Sequence, residues 1–215
     1  MRQSSYNTDC FPRYDTKDKI AAKHNSTNLR SDSREIPAEV ISQAKGLAIF
    51  SAFRAGMYFA GTSGHGIVIA RLPNGSWSPP SGFSVKSAGV GLVYGVDIFD
   101  CVCVLNTPEA VNAYKTSDFS MEARADFAVG LVGGKANVSS GDTPAVSTYT
   151  KSKGIYGGVT LDGTAIKEQH KTNAEFYGGP ATAAEILGGD VKPRAGSARW
   201  PEGAQKLMQL MESLG

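Results

Sequence analysis

The sequence predicts an α+β domain: a glycine-rich, mainly antiparallel β-sheet or barrel-like core with flanking helices. Three observations lead there. Glycine supplies 25 of the 215 residues, most of them between Gly46 and Gly189, a density that favours strands with tight turns over a helical bundle. Short apolar segments (LAIFSAF, GMYFAG, GIVIARL, DCVCVL) run from Leu47 to about Leu105, separated by glycine or turn residues. Strands and helices do not alternate regularly, which argues against a doubly wound parallel sheet.

The elements follow in order. Residues 1–35 are polar and mixed in charge. Lys17, Lys19, Ile20, Ala21, Ala22 and Lys23 offer only a thin apolar face, so this segment reads as weakly amphipathic or disordered. The organised domain is expected over residues 36–215. It opens with a helix behind Ile36-Pro37 that carries Glu39, Val40, Ile41 and Ala44 and ends near Lys45-Gly46, where a basic residue and a glycine suit a helix C-terminus. Leu72–Trp77 places Asn74-Gly75 between two apolar segments, a hairpin signal. SAGVGLVYGVDIFD alternates small and apolar residues, as a closely packed glycine-rich strand does. TPEAVNAYK reads as a helix with Thr107 as N-cap and Pro108 at its first position. Residues 119–166 return to β character, with Val159 and Leu161 alternating against Thr160 and Asp162. PATAAEIL and GAQKLMQLMESL are helical, the second with Leu207, Leu210, Met211 and Leu214 as a core-packing stripe.

Bulk properties exclude several function classes. A formal charge of +2 gives no electrostatic case for nucleic acid. Three cysteines do not make a disulfide framework; Cys101 and Cys103 sit on one face of an apolar run and read as small buried hydrophobes. With no CxxC and with His24, His65 and His170 far apart, no zinc site or other cofactor is expected. The N-terminus lacks an apolar signal core, and no apolar stretch approaches the roughly 20 residues that span a bilayer. A cytoplasmic protein without a transmembrane segment is expected.

The stretch GTSGHGIVIARL resembles a phosphate loop at first sight. A Walker loop needs Lys-Ser/Thr after its last glycine, and a dinucleotide loop opens a helix. Here Gly61, Gly64 and Gly66 lead into the β-branched Ile67-Val68. The glycines are therefore expected to let strands pack closely. Ser63 with His65, joined by Asp97 or Asp100, is the one arrangement that suggests a hydrolase, and it lacks a third member at a telling spacing. Lys151 and Lys153 share one face of an extended segment, and Lys167, His170 and Lys171 follow about one strand-length later. If these segments pair as a hairpin, the cations converge on a polyanionic headgroup; otherwise they are solvated edge-strand lysines.

These motifs together resemble the SYLF domain family. The resemblance runs from IPAEVISQAKGLAIFSAFRAGMYFAGTSGHGIVIARLPNGSWSPPSG through DIFDCVCVLNTPEAVNAY and YTKSKGIYGGVTLDGTAI to KTNAEFYG and AAEILGGDVKPR, about residues 36–214. It implies a non-catalytic module that binds phosphoinositide-bearing membrane and is linked to cortical actin and endocytosis. An actin-filament-binding module with incidental lipid affinity is the alternative. On this reading the lipid-binding residues are Lys151, Lys153, Lys167 and Lys171, assisted by Lys17, Lys19 and Lys23. Fungal members carry a C-terminal Src-homology domain with no counterpart before Gly215, so recruitment through that domain is not expected. The chain also departs from the family pattern before Ile36, where the usual basic amphipathic helix is thin, and at Met121–Arg124 and Gly130–Gly134.

Overall fold

A computed structural model describes residues 36–116, 145–191 and 202–213. Four strands and five helices are found among them: α1 (Ala38–Gln43), β1 (Gly46–Ala70), β2 (Ser81–Leu105), α2 (Pro108–Lys115), β3 (Val146–Ser152), β4 (Ile155–Glu168), α3 (His170–Tyr177), α4 (Ala183–Gly188) and α5 (Glu202–Ser213). The α+β expectation holds, and every strand pairing is antiparallel. The β residues expected within 117–144 lie outside the described residues.

The sheet is built on two strands of 25 residues each. LAIFSAF, GMYFAG and GIVIARL, separate segments by sequence, are one strand, because the intervening glycines stay in the ladder instead of turning. β2 pairs with β1 from Gly46↔Leu105 to Val68↔Ser81. Along its other edge β2 takes β3, from Leu105↔Val146 to Phe99↔Ser152, and then β4, from Val96↔Ile155 to Phe83↔Glu168. The register is continuous across the break, so β3 and β4 form one interrupted edge. β1 and this edge remain the two borders of the sheet; it curls without closing into a barrel.

β1 doubles back on itself. Lys45 O, just before the strand, accepts from Arg71 N just after it at 2.8 Å. A methyl group built on Gly64 would lie 2.5 Å from Ala52 Cβ and 2.6 Å from Ser51 O, and one on Gly66 would overlap Ile49 O and Phe50 Cβ. These two glycines exist for close approach, as the sequence suggested. The fold in β1 falls near its middle, where Tyr58 adopts φ 69° and the register shifts between Met57 and Phe59.

Two cores result. The inward face carries Phe50, Val68, Phe83, Val85, Phe99, Cys101, Cys103 and Leu105, covered by Val111 and Tyr114 of α2 and Leu187 of α4. Phe83 meets Phe50 and Tyr114 edge-on, with centroids 5.9 and 5.1 Å apart. Cys101 and Cys103 are free and buried, with sulfurs 3.7 Å apart; that contact and burial push the Cys103 thiol well up. On the outer face, Leu47, Ile49, Ile67, Ile69, Val102 and Val104 pack under Ile41 of α1 and Leu207, Met208 and Met211 of α5. The expected α5 stripe is thus core packing at Leu207 and Met211; Leu214 lies outside the described residues.

Local chemistry sets the element ends. Thr107 Oγ1 caps α2 by accepting from Ala110 N at 3.2 Å, and Thr182 with Glu185 forms a capping box on α4. The expected glycine cap of α1 is absent: Ala44 leaves the helix in an extended conformation, and Gly46 begins β1, with Ile69 O and Val111 Cγ2 each 2.9 Å from where its Cβ would be. Gly75, at φ 84°, completes the Asn74-Gly75 turn, over which Arg71 bridges to Trp77. KTNAEFYG forms α3, and its buried Asn173 side chain accepts from Gly82 N at 2.8 Å and donates to Ser81 Oγ and Glu168 Oε1 at 3.2 Å. Tyr177 donates to Pro80 O at 2.6 Å, and burial pushes its hydroxyl far up.

Because the backbone of Ile49 occupies the space beside it, Gly66→Ala is expected to destabilise the fold by about 1–3 kcal/mol, the range of overpacked cores. Gly61→Ala, where a methyl group meets nothing within 4 Å, serves as the control. Urea-induced unfolding of both variants measures the difference.

Candidate functional site

The break between β3 and β4 is held by one buried carboxylate. Asp97 lies opposite Arg54 in the β1–β2 ladder. Its Oδ2 accepts from Arg54 Nε and Nη2 at 3.0 and 2.8 Å and from Ser152 Oγ at 2.6 Å. Its Oδ1 accepts from the backbone N–H of Lys153 and Gly154 at 3.1 and 2.7 Å. The guanidinium also stacks over Tyr156 and Phe99, 4.4 and 5.0 Å from the ring centroids. Burial works to raise the Asp97 pKa, but the hydrogen bonds from Ser152, Gly154 and Arg54, with the Arg54 charge, hold it below the usual carboxylate value. Gly154 is required here: a Cβ would lie 2.5 Å from Asp97 Cα.

With Asp97 pointing inward, the neighbouring register positions point Lys151 and Lys153 outward. Lys151 stands opposite Asp100, and Lys153 Nζ lies 3.8 Å from Asp100 Oδ2 with its side chain 64% exposed. Asp100 also accepts from Ser51 Oγ. Lys167 is exposed on β4 opposite Ser84. Lys171 belongs to α3, where Glu175 lies 4.0 Å away. The two lysine segments do not pair with each other; each pairs with β2, so convergence by a hairpin is not the arrangement found. Lys151, Lys153 and Lys167 instead share the outer face of one interrupted edge. Lys17, Lys19 and Lys23 lie outside the described residues. Lys86, which the sequence reading passed over, is exposed on the same face opposite Ala165 and Ser63.

Between these lysines the outer face is apolar. Val90, Leu92, Tyr94, Val96 and Ile98 alternate outward along β2, and Leu92 is 78% exposed. Phe53, Met57 and Phe59 stand beside them on β1, and Ile155 on β4 is 87% exposed. Through Ser87–Val96 the inward positions are mostly small (Ser87, Gly89, Gly91 and Gly95, with Val93 among them) and the larger side chains point outward, the reverse of an ordinary half-buried strand; beyond them Asp97 and Phe99 face the core.

The hydrolase arrangement is not assembled at these positions. Ser63 and His65 are exposed, opposite Lys86 and Ser84. Asp97 is buried and engaged by Arg54, Ser152 and the backbone, and Asp100 by Ser51 and Lys153. Among the described residues no three His, Cys, Asp or Glu side chains gather to hold a metal ion, and no helix is long and apolar enough to cross a membrane.

Fold and site together define an α+β module that presents lysines and apolar side chains on an open sheet face. Residues 86–214 match the Ysc84 family, described as "Las17-binding protein actin regulator", and the chain belongs to this family, in agreement with the SYLF resemblance. LAS seventeen-binding protein 3 of Saccharomyces cerevisiae is 36% identical over 183 residues, 83% of this chain and 38% of that protein. Protein YSC84 of the same yeast is 37% identical with the same coverage. The human SH3 domain-containing YSC84-like protein 1 is 38% identical over 190 residues, 87% of this chain and 54% of that protein. The chain thus spans about half or less of the relatives it matches. No solved structure matches it.

Because its folded pKa is depressed, Asp97 stabilises the fold above the ordinary carboxylate pKa, near about 4. That contribution is lost as pH falls through this value toward its own lower one. Asp97→Asn is expected to flatten the acid limb of the stability–pH curve. Arg54→Ala, which leaves the carboxylate buried and unpaired, is expected to cost about 3–5 kcal/mol at neutral pH. Thermal and urea unfolding across an acid pH series measure both.

Proposed function

We propose that this chain is a non-catalytic module of actin regulation that works at phosphoinositide-bearing membrane surfaces in the cytoplasm, in cortical or endocytic actin assembly. The observation that carries the reading is the placement of Lys151 and Lys153. They project outward from the position where Asp97 holds the β3–β4 junction against β2, and among the described strand acids Asp100 shares their face. Family membership supports the actin half: the family description and the yeast relatives name actin regulation and Las17 binding. The lysine geometry supports the membrane half. Each cation near an anionic leaflet contributes on the order of 1 kcal/mol, so several must act together: Lys151, Lys153 and Lys167 share one face, and Lys171 on α3 with Lys17, Lys19 and Lys23 would add to them.

The alternative is filament binding with incidental lipid affinity. Two measurements on one purified sample separate the readings: co-sedimentation with phosphoinositide-containing liposomes, and pelleting with actin filaments without lipid. Lys151→Glu with Lys153→Glu is expected to weaken liposome binding about tenfold or more. Unchanged liposome binding in that variant sinks the lysine assignment. Strong filament pelleting without lipid affinity favours the alternative.

A further inference from the structure

One face of the sheet changes character along its length. Near the strand ends it is buried beneath α1, Trp77 and α5. Further along the same strands, at positions of the same parity, Phe53, Met57 and Phe59 stand opposite Ile98, Tyr94 and Val90, each half exposed or more. Leu92 lies between Val90 and Tyr94 on β2, and Ile155 opposite Val96 continues the surface onto β4. Soluble monomers rarely expose contiguous apolar patches larger than a few hundred Å².

We propose that this face inserts into the interfacial layer of an anionic membrane leaflet. Its apolar side chains would sit at the acyl boundary and its lysines among the headgroups. The inference rests on the membrane reading above but assigns the anchoring to apolar insertion, which lysine attraction alone does not require.

Three observations commit the face to a leaflet. The first is position. Both ends of β1 meet at the base, where Lys45 O accepts from Arg71 N, so the middle of the strand around Tyr58 is the part furthest from it, up to about 40 Å along the chain. The second is charge. Lys86 and Lys167 lie beyond one end of the apolar stretch and Lys151 and Lys153 beyond the other. Among the described side chains, Asp100, already engaged by Ser51 and Lys153, is the one acid beside them; Asp97 and Glu168 are buried on the other side. The third is composition: the exposed Tyr58 and Tyr94 have an apolar body and a polar tip suited to a membrane interface. A cation-flanked apolar surface matches an anionic leaflet in both respects.

The test uses Leu92→Trp, read against the native Trp77 and Trp200 background, and the pair Phe59→Ser/Leu92→Ser. Vesicles are phosphatidylcholine with phosphatidylserine and a phosphoinositide, with or without acyl-chain bromination. With bound vesicles, the emission added by Leu92→Trp is expected to shift to the blue and to be quenched by brominated chains. The serine pair is expected to weaken vesicle partitioning at least about tenfold while leaving thermal unfolding unchanged. If Lys151→Glu/Lys153→Glu abolishes binding but brominated chains do not quench that added emission and the serine pair binds normally, insertion is overturned and the electrostatic reading survives. If the wild-type chain binds no vesicle, both readings fall. Emission already blue-shifted in the lipid-free monomer would mean that another part of this chain covers the face. A dimer by analytical ultracentrifugation that the serine pair dissociates would mean that a second copy does. Either result overturns the proposal.

Discussion

The close approach of the two halves of β1 decides where everything else sits. A 25-residue strand left straight would be far longer than a domain of this size is wide. Gly64 and Gly66 let its second half lie against the backbone of Ser51, Ala52 and Ile49. That contact encloses Phe50 and Val68 on one side and leaves Ile49 and Ile67 on the other. The inner side becomes the α2-covered core and the outer side the seat of α1 and α5. Any side chain at Gly66 has to displace main chain, which cannot move without breaking the ladder to β2.

Asp97 plays the corresponding part on the opposite edge. The sheet needs a third layer along the whole of β2, yet that edge is interrupted at Lys153-Gly154. There the Lys153 N–H is shared between Ile98 O and Asp97 Oδ1, the Gly154 N–H goes to Asp97 Oδ1, and Arg54 compensates the carboxylate's charge from the neighbouring strand. The same residues thus tie three strands together: Arg54 from β1, Asp97 from β2, and Ser152 to Gly154 from the β3–β4 junction. Full partnering keeps a buried ion pair from being a liability. It also fixes which way Lys151 and Lys153 project, so the candidate binding geometry follows from core electrostatics.

Much of this was legible from residue order. Thr107-Pro108, Asn74-Gly75 and the α5 stripe announce themselves through local chemistry, which acts over a few residues and survives in any tertiary context. The α+β class followed from glycine density and irregular strand spacing. What local chemistry could not convey was continuity. A glycine inside a strand reads as a terminator unless one knows that another backbone lies against it, so two long strands looked like several short ones. Asp97 reads only as a candidate partner of Ser63 and His65 for the same reason, because Arg54 and Gly154 are distant in sequence. Lys151, Lys153 and Lys167 lie on or beside one strand edge that pairs with β2 and not with each other, while Lys171 falls in α3; the length of β2 that decides this is not visible from the local sequence.

The pattern SAGVGLVYGVDIFD was seen and its orientation was not, and the reason bears on function. Alternation of small and large residues normally places the large ones inside. Here, around the bend of the curled sheet, there is little room inside: Gly56 sits opposite Gly95, and a Cβ on Gly56 would lie 2.9 Å from Phe59 O and from Val93 Cγ2. Gly95 itself has φ 132°, and a Cβ there would overlap Ile155 O. With Gly91 and Gly95 taking the inward positions around this bend, Leu92, Tyr94 and Val96 point outward, and Ile98 continues their parity between the inward Asp97 and Phe99. The curl constrains size on the inside but imposes no hydrophobicity on the outside; serine, threonine or lysine at those outward positions would satisfy the same backbone. A face that is apolar where the fold does not demand it, and lysine-flanked where the fold is equally indifferent, is more simply explained by something it contacts than by packing.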